Sequence, residues 1–313
     1  MRLVFLGTPA FAVPTLERVA DAGHSVLAVV TQPDRPRGRG QNAAPPPVKQ
    51  AALRLGLPVY QPERVRRPEA VEYLRGLPLD AMVVVGYGQI IPQSVIDLAP
   101  LGIINVHGSL LPRYRGAGPI QWAILNGETR TGVTTMRIDA GLDTGDMLLQ
   151  AETAIGPDET AIELGQRLAA MGADLLVETL AGLAAGRIVP EKQDNAQATY
   201  ARLLKKEDGR IDWGRDARSI HNQVRGLQPW PGASTGFRGQ TLHIWKSRLW
   251  SGTMPPSSAA GTLVSLKPPV VSCGGGGLEL VEVQLEGRKR IPAGDFANGQ
   301  RLAENESLGD PRP

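Results

Sequence analysis

Four short apolar runs, Leu3–Leu6, Val26–Val30, Ala81–Val85 and Ile103–Val106, leave this chain few ways to fold. They are continuous, not alternating, and taken together largely β-branched. A strand with one wet face alternates polar and apolar side chains. A strand with no polar positions must be covered on both faces. Helical patterns lie near residues 14–23, 46–56, 67–76 and 92–98, between and after the runs. Such alternation describes an α/β domain, Rossmann-like, with a doubly wound and mostly parallel sheet. Ligands of these sheets gather beyond the carboxyl ends of the strands.

Thr131–Ile138 and Met147–Ile155 read as two more strands, and Glu159–Ala185 as a long amphipathic helix. Pro157-Asp158-Glu159-Thr160 supplies the turn and cap at its start, and Gly186 the stop. Residues 187–208 show no strong period and read as a linker. Beyond about residue 230 the runs Leu242–Trp245, Gly261–Val264, Val270–Ser272 and Leu278–Val283 are separated by Gly, Pro and Ser. Short strands at that spacing predict a small β-barrel or sandwich. The expected organisation is a catalytic-type domain over 1–186, a linker over 187–208 and a β-domain over 209–313, with 303–313 a frayed polar tail. Two domains also suit 313 residues.

Composition closes off other classes. A single cysteine, Cys273, allows no internal disulfide and no cysteine-built metal site. No stretch approaches the roughly 18 apolar residues of a membrane span. Gly7-Thr8-Pro9 interrupts the apolar N-terminus, which therefore reads as a first strand and not a signal peptide. A cytoplasmic protein with no membrane association is expected. The net charge of +3 names no partner, yet residues 207–302 hold 12 basic against 8 acidic side chains.

The densest polar stretch begins within the fourth apolar run and continues past it: Asn105-Val106-His107-Gly108-Ser109-Leu110-Leu111-Pro112. Alternation along a strand puts Asn105 and His107 on one face and Val106 on the other. Downstream, Asp139-Ala140-Gly141-Leu142-Asp143-Thr144-Gly145-Asp146 forms a turn-rich loop able to return a carboxylate to the imidazole. An amide donor, a proton carrier and an orienting carboxylate together serve acyl transfer. The same residues also suit edge-of-sheet hydrogen bonding and a plain turn, and spacing alone does not decide between these readings. Neither Ser nor Cys occupies a recognisable nucleophile elbow, Gly7 is followed by no G-x-G-x-x-G, and there is no Walker loop. Direct attack by a substrate nucleophile fits better than a covalent enzyme intermediate.

The segments from Asn105 to Gly116 and from Gly141 to Met147 resemble the two hallmark segments of the 10-formyltetrahydrofolate-dependent formyltransferases. Gly7-Thr8-Pro9, Thr31-Gln32-Pro33-Asp34-Arg35-Pro36, Gly38-Arg39-Gly40 and Gly209-Arg210-Ile211-Asp212-Trp213 extend the likeness. So do His221 to Leu227, Pro229-Trp230-Pro231-Gly232-Ala233 and Asp295-Phe296-Ala297-Asn298-Gly299, giving coverage of roughly residues 1–302. Within the family the chain is most similar to the branch that formylates initiator methionyl-tRNA. The resemblance implies Asn105, His107 and Asp143 as the catalytic trio. It implies folate contacts from Ser109, Leu110, Leu111, Pro112, Gly86, Gln89, Ile90 and Asp139. It also implies an oligonucleotide-binding-type (OB) barrel as second domain, 10-formyltetrahydrofolate as the formyl-donor cosubstrate, initiator methionyl-tRNA as the partner, no metal, and a monomer. Sugar-nucleotide formyltransferases share the Asn-His-Asp core, so that core cannot discriminate. The wording Leu142-Asp143-Thr144-Gly145 and the basic segment 34–49 favour tRNA.

That segment carries Arg35, Arg37, Arg39 and Lys49 among glycine- and proline-rich turns, which on the residues alone suits a solvated loop as well as a mobile phosphate-binding one. The resemblance implies the loop that approaches the acceptor stem. Family members often place lysines after the Gly-Arg-Gly, where this chain has Gln41 and Asn42, which puts Arg39 forward. Lys205 and Lys206 are further tRNA-binding candidates. His221 is expected on a helix in a structural role, Trp230 as a packing anchor, and Cys273 as an unreactive strand-end thiol.

Overall fold

The computed structural model describes residues 1–37, 42–255 and 258–309. They form two compact units, one of residues 1–119, 131–153 and 165–201, the other of 120–130, 154–164 and 202 onward. This division is discontinuous where continuous boundaries at 186 and 209 were expected. Residues 187–201 belong to the first unit because their backbone is paired there. Glu191 exchanges two hydrogen bonds with Met147, and Tyr200–Ala201 runs parallel to Arg115–Gly116. Residues 120–130 belong to the second unit, where Ile124 packs so closely on Gly226 that a Cβ there would lie 3.0 Å from it.

The first unit is built on seven strands in the spatial order Met147–Ala154, Arg130–Arg137, Ile103–His107, Ala81–Val85, Arg2–Gly7, Ser25–Val30, Val59–Tyr60. The last five are parallel, and Arg130–Arg137 runs antiparallel to Ile103–His107. Both faces are covered, as the apolar runs require. Leu3, Phe5, Val83, Ile104 and Val106 pack with Leu176 and Leu180 of the helix Ala161–Ala184. Val4, Leu6, Met82, Val84 and Ile103 pack on the opposite face with Leu74 and Val95. The strand Val59–Tyr60 escapes a sequence reading because two residues carry no period.

The second unit holds an antiparallel sheet in the order Ala233–Phe237, Gln240–Trp250, Gly277–Leu285, Pro269–Ser272, Leu263–Leu266. Residues 303–309 are not a frayed tail. Asn305 and Glu306 pair with Leu263, Leu308 with Gly261, and the Gly309 N–H donates to Gly236, so the segment bonds to both end strands. Leu308 is buried in the core with Trp213, Phe237 and Phe296, and Glu306 pairs with Arg238 at 2.7 Å. Trp230, expected to pack, is 54% exposed.

The helix Ala217–Gly226 is capped by Asp216, whose carboxylate accepts from the Ser219 N–H. Its His221 and Arg225 side chains are buried and grip the 156–159 turn. Arg225 donates to the Gly156 and Glu159 carbonyls, and His221 Nε2 lies 3.3 Å from the Pro157 carbonyl and 3.2 Å from Asp158. Burial lowers the His221 pKa, against the opposing pull of Pro157 and Asp158. A base depressed in the folded state binds its proton more readily when unfolded. Stability is therefore retained above the unfolded value near 6.5 and lost as pH falls below it. Melting temperatures between pH 7.5 and 5 should fall more for the native chain than for His221→Gln; parallel curves would remove His221 from the acid response.

Candidate active site

The strand Ile103–His107 carries the polar end of an otherwise apolar face. Ile103 lies in one core layer while Ile104 and Val106 lie in the other, so Asn105 and His107 share the Ile103 face. Both are buried. Among the described residues the Asn105 side chain makes no hydrogen bond, which leaves its amide available to a ligand. His107 Nε2 sits 2.9 Å from the Tyr114 carbonyl oxygen. A carbonyl only accepts, so Nε2 carries the hydrogen and Nδ1 presents its lone pair. Nδ1 faces Asp143 Oδ2 at 3.7 Å, beyond direct hydrogen-bond range but close enough for an ion pair once Nδ1 is protonated.

Asp143 arrives by an indirect route. Arg137 pairs with Ile104 and Thr134 with His107, so the strand Arg130–Arg137 ends away from the imidazole. The loop 138–146 then folds back. Asp139 Oδ1 accepts from the Gly141 N–H and the Thr144 hydroxyl, and a Cβ at Gly145 would overlap the Arg137 carbonyl. The Asp143 carboxylate accepts from the Gly116 N–H at 2.8 Å. Asp143 and Tyr114 are both left-handed (φ 51° and 60°), unfavourable for non-glycine residues unless the surroundings hold them.

The loops 86–90 and 108–112 leave adjacent parallel strands at the same edge of the sheet. Several side chains expected to meet a ligand also make hydrogen bonds that shape these loops. The Ser109 hydroxyl donates to the Arg113 carbonyl at 2.6 Å. Gln89 accepts from the Val65 N–H and donates toward Gln32 and Glu63, and Asp139 is spent within its own turn. Gly86 is left-handed at φ 57°, and a Cβ there would meet Pro9. Leu111 is buried, Leu110 and Pro112 are half-buried, and Ile90 is 90% exposed. Thr134 and Gln150, which no sequence signal singled out, hold the second loop. Thr134 donates to the Ser109 carbonyl and accepts from the Leu111 N–H, and Gln150 donates to the Leu111 carbonyl. Tyr87, between the loops' glycines, is buried, and burial pushes its hydroxyl up to about 12.

Within the basic segment, the described residues on either side of 38–41 are regular. Arg35–Arg37 and Asn42–Ala44 form an antiparallel ribbon, and Pro47–Arg54 is a helix. Arg35 is exposed, whereas Lys49 is committed to Asp34 at 2.7 Å. Arg39 lies outside the described residues, as does the Arg37 side chain. Lys205 and Lys206 are exposed in the second unit. Cys273 is buried, and burial raises its thiol to about 12, an unreactive group as expected.

The family model for formyl transferase matches residues 1–180, and that for the formyl transferase C-terminal domain matches 203–301. A methionyl-tRNA formyltransferase of Solibacter usitatus is 75% identical over 310 residues, covering 99% of each chain. The chain belongs to the methionyl-tRNA formyltransferase family. Another member, from Koribacter versatilis, is 55% identical over 99% of both chains. Among solved structures, an N-formyltransferase of Helicobacter canadensis with folinic acid and dTDP-3-aminofucose superposes with a TM-score of 0.68 at 19% identity, covering 92% of this chain and 99% of that one. HypX of Aquifex aeolicus with tetrahydrofolic acid gives 0.66 at 16% identity, covering 95% and 47%. These distant structures share the fold with the methionyl-tRNA formyltransferase family, whose α/β sheet and antiparallel β-domain are those described above.

Proposed function

We propose that this chain transfers the formyl group of 10-formyltetrahydrofolate to the α-amino group of initiator methionyl-tRNA, in the cytoplasm, to prime translation. The observation that carries this reading is the 75% identity, over essentially the whole length, to a methionyl-tRNA formyltransferase. The aminosugar-bound structure, by contrast, is 19% identical.

The chemistry asks little of the enzyme as a base. A free α-amine has a pKa of roughly 7.7–8.0 and a neighbouring ester lowers it, so much of the nucleophile is neutral near pH 7. A bond forms between the amine nitrogen and the formyl carbon, and the bond from that carbon to the folate nitrogen breaks. One proton leaves the amine and one reaches the folate nitrogen. The unpartnered Asn105 amide meets the negative charge that develops on the formyl oxygen; one such donor is worth ~2.7–4 kcal/mol. His107 receives the amine proton at Nδ1, its Nε2–H being anchored on Tyr114, and returns it to the leaving nitrogen. Asp143 faces Nδ1 and stabilises the transient imidazolium.

The folate is held along the sheet edge by the 86–90 and 109–112 loops and the Asp139 turn, through backbone and the Leu110–Pro112 surface more than through Ser109 or Gln89. Arg35, Arg37, Arg39, Lys205 and Lys206 are the proposed tRNA contacts, attracting phosphate without reading sequence. Formyl transfer from 10-formyltetrahydrofolate to charged initiator tRNA, with a dTDP-aminosugar as competitor, tests the reading. Formyl-methionyl-tRNA should be the product and the sugar should remain unmodified. Preferential formylation of the sugar would overturn it.

A further inference from the structure

The loop that carries Asp143 is clamped by a side chain from the stretch that the sequence offers as a linker. Gln193 Nε2 donates to the Asp143 carbonyl and to the Gly145 carbonyl, both at 2.8 Å. Its Oε1 accepts from Arg115 Nε at 2.9 Å, and Arg115 Nη2 donates to Asn195 Oδ1 at 2.9 Å. Both amide hydrogens of Gln193 are therefore used, and its oxygen is fixed in the orientation that aims them at the loop. The residue after Arg115 is Gly116, whose N–H grips the Asp143 carboxylate. Arg115 is only 2% exposed, and its backbone N–H donates to the Thr199 carbonyl. The pairing of Glu191 with Met147 sets the 191–195 segment alongside the loop.

We propose that Gln193 is the positioning residue for Asp143, and that Arg115 and Asn195 hold Gln193 in register. Nothing in Asp143's own turn fixes its left-handed backbone from the carbonyl side. Without the two amide donors, the carboxylate keeps its Gly116 contact while the peptide that carries it is free to turn. Arg115 joins the two grips, since its side chain orients Gln193 and its neighbour's N–H holds the carboxylate. The inference rests on the catalytic reading of Asp143 given above. It adds that the 191–195 segment acts on that residue rather than tethering domains.

Gln193→Met keeps the side-chain length and removes all three hydrogen bonds. Gln193→Glu keeps an acceptor for Arg115 but turns a carboxylate oxygen toward two carbonyls. Each should lower kcat for methionyl-tRNA formylation by ~10- to 100-fold, the scale set by misplacing a reacting group by about an ångström. KM for tRNA and for folate should stay within about twofold. The decisive measurement is the double variant with Asp143→Ala. If Gln193 acts through Asp143, adding Gln193→Met to Asp143→Ala should cost nothing further in kcat, whereas a generally structural role adds its loss in both backgrounds. Additive losses, or a folded Gln193→Glu enzyme with native kcat beside a slow Asp143→Ala enzyme, would overturn the inference and leave the Asp143 reading standing. A fast Asp143→Ala enzyme would remove both.

Discussion

Asn105→Ala and His107→Ala enzymes are each expected to form formyl-methionyl-tRNA ~10²–10³-fold more slowly than the native chain, with tRNA affinity unchanged. For Asn105 the argument is the absence of a competing partner. Its amide is buried and makes no hydrogen bond among the described residues, so truncation removes a donor to the reaction and nothing from the fold. For His107 one structural bond is lost, Nε2 to the Tyr114 carbonyl, worth about 1 kcal/mol, which a folded domain tolerates. The fall should appear in kcat, because on the proposed mechanism both groups meet charge or protons that arise only during transfer. Steady-state kinetics with tRNA and folate varied in turn, beside a melting curve, decides it. Native turnover in either variant removes that residue from the mechanism.

Asp143→Asn is the second large effect. The amide oxygen still accepts from the Gly116 N–H, so the loop keeps its grip. What disappears is the negative charge 3.7 Å from Nδ1. A protonated imidazole loses its counter-charge in a site where His107 is 5% exposed and screening by water is weak. We expect kcat to drop at least ~10²-fold and the pH dependence of kcat/KM to change shape, as for other carboxylates that support a proton-carrying histidine. Full activity with an unchanged profile would show that Asp143 only shapes the loop.

Much of the first unit was legible because strands buried on both faces leave short, continuous apolar runs, which their length and flanking turn residues set apart from buried helix. The run Ala81–Val85 coincides with its strand, and the others differ by a residue or two at the ends. The shared face of Asn105 and His107 followed from alternation alone. The return of Asp143 was stated as a capacity of its loop, and the register explains why nothing firmer was possible: Arg137 lies beside Ile104, so the chain leaves for the far end before turning back. The folate contacts of Asp139 and Ser109 are implied by the family resemblance, and nothing in the sequence shows that the same side chains also hold their own loops. Their bonds to Thr144 and Arg113 are tertiary facts. Gln193 had no signal at all. It stands in a segment without period, and its function depends on a loop fifty residues earlier in the chain.

The closure of the second unit bears on when this protein can finish folding as it is made. Residues 305–309 follow every strand of the sheet in sequence, yet they bond to the strands at both of its ends. Until they clear the ribosome, the amide and carbonyl groups of Leu263 and the carbonyl of Gly236 have no partner there. The first unit contains no residue beyond 201. The sheet of the β-domain is thus complete only once the 305–309 segment has been made.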